Sequence, residues 1–199
     1  MRELPPELLI DAYLQGCFPM ADPQSGDLEW YRPDPRAIIE LDGLRVSRSL
    51  ARTCRSGLLD IRRDTAFEDV VAACAAARPG REDTWIDARI ARACAALHEA
   101  GLAHSLEAWK DGRLVGGLYG VRLGGAFFGE SMFSDPAAGG RDASKVCLVH
   151  LVEHLRAIGA ALLDIQFLTP HLERLGGVEI PAAVYQRRLK AAVAIETIW

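Results

Sequence analysis

Late in the chain, LLDIQF places Asp164 and Gln166 two residues apart. On a strand such a pair shares one face, with Leu163, Ile165 and Phe167 on the other. A carboxylate and an amide emerging together from an apolar strand need hydrogen-bond partners or a task. Two readings are open: a strand-end pair bonded to nearby backbone, or a pair that handles a polar substrate. Upstream, FFGESMFS (127–134) sets one carboxylate, Glu130, among three phenylalanines and a methionine. Regular alternation puts Phe128, Glu130 and Met132 on one face, and Phe127, Gly129, Ser131 and Phe133 on the other. A carboxylate in such surroundings is costly to bury without a partner. Glu130 is therefore an exposed strand residue or the polar handle of an apolar pocket. Gly129 beside it permits close approach of a ligand or another backbone.

Arg45, Arg48, Arg52 and Arg55 follow a spacing of 3, 4 and 3. On a helix they share one face, which suits phosphates or is simply solvated. HLVEH (150–154) matches H-x-x-E-H in form, but no third ligand is evident and an ordinary amphipathic helix explains it better. His104, Ser105 and Glu107 lack a nucleophile elbow and read as structural. Gly139-Gly140 precedes a helix, where a phosphate or carboxylate could sit. The turn lacks the pattern that cradles coenzyme A.

The elements that must position these residues follow from periodicity. Pro5 and Pro6 open a helix carrying Leu8, Leu9, Ala12 and Tyr13, stopped at Gly16. Residues 17–36, rich in Pro, Asp and Gly, read as loop. AIIEL (37–41) reads as a strand, Ser47 caps a helix to about Cys54, and LLDIRR (58–63) alternates as a strand. Helices follow at 66–77, closed by RPGRED, and from Asp87 to Glu99. Then AHSLEAWK, RLVGGLYGVRL and GAFFGESMF form a meander with turns at Asp111-Gly112 and Gly124-Gly125. A helix from Asp142 to Ile158, a strand at 161–168, a short helix, a short strand and a last helix at 182–194 complete an α+β pattern. The order resembles the core of the Gcn5-related acetyltransferase type. A boundary near 60–65 divides a small N-terminal α/β domain (1–63) from an acetyltransferase-like catalytic domain (64–199).

The chain has 199 residues, half of them hydrophobic, ample for a buried core. A formal charge of -4 argues against a wholly basic nucleic-acid coat but not against a basic patch. Five scattered cysteines suit reduced thiols in the cytoplasm. The N-terminus reads as no signal peptide, and no apolar run reaches membrane-spanning length.

Taken in order, LLIDAYLQGCFPM, EWYRPDPR, VSRSL, DTAFEDVVAACA, DTWID, LHEAGLAHSLEAW, LVGGLYGV, FFGESMFS, DASK, LLDIQF and HLERLGGVEI resemble the leucyl/phenylalanyl-tRNA–protein transferase family over nearly the whole chain. GESMFS followed by DASK is the most specific part. The chain departs from the family in Met20 and Tyr31, where tryptophan is common, and in Asp142, where asparagine is common. It also lacks a stretch usual before the first helix.

The resemblance implies an aminoacyltransferase that moves Leu or Phe, less readily Met, from aminoacyl-tRNA to the α-amine of proteins beginning with Arg or Lys. It implies entry into bacterial N-degron degradation, a cytoplasmic monomer, and no metal, coenzyme or membrane partner. On this reading Asp164 and Gln166 are catalytic, Gln166 orienting the amine and Asp164 polarising Gln166 or relaying a proton. Glu130 and Ser131 contact substrate, while Phe128, Met132 and Phe133 wall the amino-acid pocket. Trp85, with Trp30 and Tyr31, stacks on the terminal adenine, and Arg45, Arg48, Arg52 and Arg55 hold acceptor-stem phosphates. Two rivals stand: a coenzyme A-dependent acyltransferase of the same fold, and a non-catalytic module that binds RNA ends or N-degrons.

Overall fold

The computed structural model describes residues 3–77 and 83–199. Most of the RPGRED helix stop falls at 78–82, outside the described residues. A seven-stranded sheet organises the molecule. Its meander is β4 (Asp60–Arg63), β5 (Ala103–Lys110), β6 (Arg113–Leu123) and β7 (Ala126–Ser134), followed by β8 (Leu162–Gln166), β3 (Arg36–Ile39) and β9 (Gly177–Ile180) in the order β4-β5-β6-β7-β8-β3-β9. All neighbours are antiparallel except β7 and β8.

Each face of the sheet is covered. On one side lie α1 (Pro6–Leu14), α3 (Phe67–Ala75), α4 (Ala88–Glu99) and α7 (Ala182–Val193), which bury Leu9, Val70, Ile90 and Leu189. On the other lie α2 (Arg48–Arg55), α5 (Ala143–Ala157) and α6 (Pro170–Arg174), with Leu50 and Leu151 buried and Leu172 packed against them. Local signals fix several ends. Ser47 accepts from Leu50 N–H, and Asp87 accepts from Arg89 and Ile90 N–H. The α+β class and the expected helices are found.

Two expectations change. Residues 17–36 are not loop throughout: β1 (Phe18–Ala21) and β2 (Leu28–Tyr31) form an antiparallel hairpin. Leu8 points outward from α1, 47% exposed. β3 sits between β8 and β9, and β4 pairs with β5, so strands from both sides of residue 63 share one sheet. Gly140 answers to packing, since a Cβ there would lie 2.1 Å from Val115 O. Among the described residues no helix is long and apolar enough to cross a membrane.

Candidate active site

β7 and β8 pair only from Ala126 to Phe128 against Leu162 to Asp164. Beyond that point β7 runs on to Ser134 without β8, and the gap between them holds the site. Two local irregularities shape it. In β7, Tyr119 faces Ser131 and Gly120 faces Gly129, which leaves Glu130 as the extra residue of a β-bulge. In β8, Phe167 N–H donates to Ile165 O at 2.7 Å while Gln166 has φ 58°. A γ-turn is thus centred on Gln166, a strained conformation for such a residue.

These two residues meet across the gap. Gln166 Nε2 donates to Glu130 Oε1 at 2.9 Å, and both side chains are buried. Tyr13 of α1 also hydrogen-bonds Glu130. Burial pushes the Glu130 carboxyl up to about 8; the Tyr13 bond opposes this and the Asp164 charge adds to it. Tyr13 in turn is held well above the usual phenol range by burial and by Glu130.

Asp164 is fully buried, and its bond to Gln166 is to the backbone N–H, not to the side chain, whose amide donates to Glu130. Its Oδ1 accepts from Gln166 backbone N–H at 2.8 Å and Arg36 Nε at 2.9 Å. Its Oδ2 accepts from Arg36 Nη2 and Tyr185 OH, each at 2.6 Å. The expected contact in which Asp164 polarises the Gln166 amide is therefore replaced: the γ-turn swings that amide to Glu130. Arg36 is opposed by burial but raised overall by Asp164, and burial beside Asp164 lifts Tyr185.

Two chambers share Glu130, Gln166, Ile165 and Leu172. One, about 100 Å³, is walled by Leu118, Met132, Leu148, Leu151 and Leu163, with Ser131 beside Glu130. The other, about 210 Å³, is lined by Phe18, Met20, Trp85, Phe167 and Thr169. Met132 and Ser131 thus line the first chamber and Trp85 the second. Phe128 and Phe133 line neither chamber: both are buried in the core beneath α1 and α3, Phe128 with its ring 4.7 Å from that of Tyr13. The bulge is the reason, since it returns Phe128 and Phe133 to one face and Phe127 and Met132 to the other. Tyr31 lies behind the second chamber, 6.0 Å from Phe18 and 6.3 Å from Phe167. Trp30 is 42% exposed and lines neither chamber. Phe167 leaves the face of Leu163 and Ile165 to pack edge-on against Phe18.

Arg45, Arg48, Arg52 and Arg55 are all exposed. Arg45 joins Lys145, His171 and Arg174 around an open groove of about 620 Å³. The other three lie along α2, outside the groove lining. α6 separates groove from chambers, with His171 and Arg174 on one and Leu172 on the others. His150 and His154 of the H-x-x-E-H match do not converge on a metal site. His150 lies 3.7 Å from Glu153, and His154 packs edge-on to Trp199. Among the described residues no three His, Cys, Asp or Glu gather to hold a metal.

Sequence reasoning missed Arg36, Tyr185 and Tyr13. An arginine opening the apolar run AII was a usable signal for the first, because a charge in such a strand demands a buried partner. Tyr13 was expected on the packed face of α1, but nothing local tied it to Glu130.

A split mixed sheet thus sets an apolar chamber beside a buried amide and a carboxyl whose pKa burial raises, an arrangement of the kind transferases present. The chain belongs to the leucyl/phenylalanyl-tRNA protein transferase family, whose model matches residues 38–190 and whose N-terminal domain matches 2–34. It is 57% identical to the leucyl/phenylalanyl-tRNA–protein transferase of Rubrobacter xylanophilus, over 97% of each chain. It is 51% identical to that of Gluconobacter oxydans, over 100% of this chain and 87% of the relative. Solved structures match more distantly. A ribosomal-protein-alanine N-acetyltransferase from Brucella melitensis biovar Abortus 2308 shares 18% identity at TM-score 0.42, over 71% of this chain and 94% of that one. A GCN5-related N-acetyltransferase from Kribbella flavida shares 10% at TM-score 0.45, over 87% and 59%.

Proposed function

We propose that this chain transfers Leu or Phe, and less readily Met, from aminoacyl-tRNA to the α-amine of proteins beginning with Arg or Lys. The product then enters the N-degron route in the cytoplasm, where charged tRNA is found, and the enzyme acts as a monomer. The observation that carries the chemistry is the Gln166–Glu130 bond at the mouth of the apolar chamber. The donor side chain fills that chamber. Its α-ammonium is one bond from the same Cα, so it falls at the mouth, beside Glu130. The acceptor amine attacks the ester carbonyl, the ester C–O bond breaks, and the ribose hydroxyl leaves with a proton. An activated ester needs positioning above all. Gln166 supplies it by accepting an amine N–H on its carbonyl oxygen, the end of the amide not bonded to Glu130. A neutral amide is a poor base, so orientation is its role.

Trp85, on the second chamber, stacks on the terminal adenine. The groove beside Arg45 and the exposed arginines of α2 hold the acceptor-stem phosphates. The test is direct: labelled Leu-tRNA is incubated with peptides starting with Arg, Lys, Asp or Ala, and label is followed into peptide. Label in the Arg and Lys peptides alone is expected. Acetyl-CoA binding by calorimetry with no labelled peptide would replace this reading with the coenzyme A-dependent one; RNA binding without product would favour a binding module.

A further inference from the structure

Asp164 has no surface left for a substrate. It is fully buried, and each of its oxygens already accepts two hydrogen bonds. Its one link to the reacting side is the bond to Gln166 N–H. Behind it, Arg36 is 1% exposed and lies between two rings, 4.8 Å from the centroid of Phe18 and 4.7 Å from that of Tyr185. Its Nη1 donates to Gly16 O at 2.9 Å. One guanidinium thus binds the corner after α1, the end of β8 and helix α7 into a single unit.

We infer that Arg36 and Tyr185 are positioning residues of the transfer reaction, acting through Asp164. The three form a buried clamp whose output is the γ-turn at Gln166. In regular strand geometry the Gln166 side chain would follow Asp164 to the same face. The clamp instead holds Gln166 at φ 58° and sends its amide across the gap to Glu130. Two donors into one carboxylate oxygen and two into the other leave that carboxylate no rotamer but the one that grips the turn. The inference rests on the reading of Gln166 as the group that orients the amine.

Tyr185→Phe removes one donor and keeps the ring over Arg36. Arg36→Lys keeps a charge and loses the fork. With Leu-tRNA and an Arg-starting peptide, each variant is expected to lower kcat about tenfold or more while KM for Leu-tRNA stays within about threefold. In a Gln166→Ala background, Tyr185→Phe should cost less than about twofold more, because the clamp acts through Gln166. Independently of turnover, the Gln166 backbone amide should exchange with solvent faster in Tyr185→Phe, followed by NMR. If Arg36→Lys fails to fold, Tyr185→Phe alone decides. The clamp is overturned if Tyr185→Phe transfers as fast as wild type, or slows Gln166→Ala by the factor it slows wild type, or leaves that exchange unchanged. If wild type itself makes no product, the functional reading fails instead, and the exchange measurement still judges the clamp.

Discussion

Gln166 and Glu130 come from two strands that have already parted, and one 2.9 Å bond spans the gap between them. Its direction matters. With the Gln166 nitrogen donating to Glu130, the amide oxygen is the end left for a substrate. Gln166→Ala should therefore lower single-turnover transfer by about 100-fold, the loss typical of an orienting group, with tRNA affinity intact. Parallel filter-binding and single-turnover assays check the separation; an unchanged rate removes Gln166 from the chemistry.

Glu130 makes folding depend on pH. Its carboxyl sits at about 8 when folded and near 4.5 when unfolded. Between those values the folded chain holds a proton that the unfolded chain has released. The contribution is complete below 4.5 and is lost as pH rises through 8, with a slope of at most about 1.4 kcal/mol per pH unit. Urea melts at about pH 5, 6.5 and 8 should show wild type weakening across this window relative to Glu130→Gln.

The same proton reports on the donor. At about pH 7 a cation docking at Glu130 displaces it, so binding of a non-hydrolysable 3′-leucylamido-adenosine should release about one proton. Calorimetry in buffers of different ionisation enthalpy measures this. Release from wild type but not from Glu130→Gln places the ammonium at Glu130; equal release from both removes it.

Met132 walls the smaller chamber. Met132→Ala enlarges it and should shift kcat/KM toward Phe over Leu by about tenfold, the scale on which apolar pockets discriminate. Competition between Leu-tRNA and Phe-tRNA reads the ratio.

The exposed arginines of α2 should act on tRNA through phosphates alone. Arg48→Glu with Arg52→Glu is expected to weaken tRNA binding and to flatten the log Kd against log salt plot by about one per lost phosphate contact. An untouched slope makes the stripe a solvated face.

Much of this molecule can be read locally. Ser47 and Asp87 announce their helices by capping chemistry, and the meander announces itself by alternation and Gly-containing turns. What cannot be read locally is long-range. Arg36 reaches Asp164 across 128 residues, and Tyr185 reaches it from a helix whose own pattern looks ordinary. The hairpin at 18–31 is hidden by a composition rich in Pro, Asp and Gly that mimics loop. Alternation also misassigns Phe128 and Phe133, because period-two reasoning holds only where strands pair without an extra residue.

That extra residue ties the length of β7 to its chemistry. Deleting one residue at Gly129 or Glu130 would straighten the strand and restore an unbroken ladder with β6. It would leave the packed faces as they are, because Phe128 and Phe133, then four residues apart, share one face by plain alternation while Met132 keeps the other. The core therefore has no need of the extra residue. What a plain ladder would lose is the carboxylate to which Gln166 donates, so the bulge is a cost the sheet bears for its site alone.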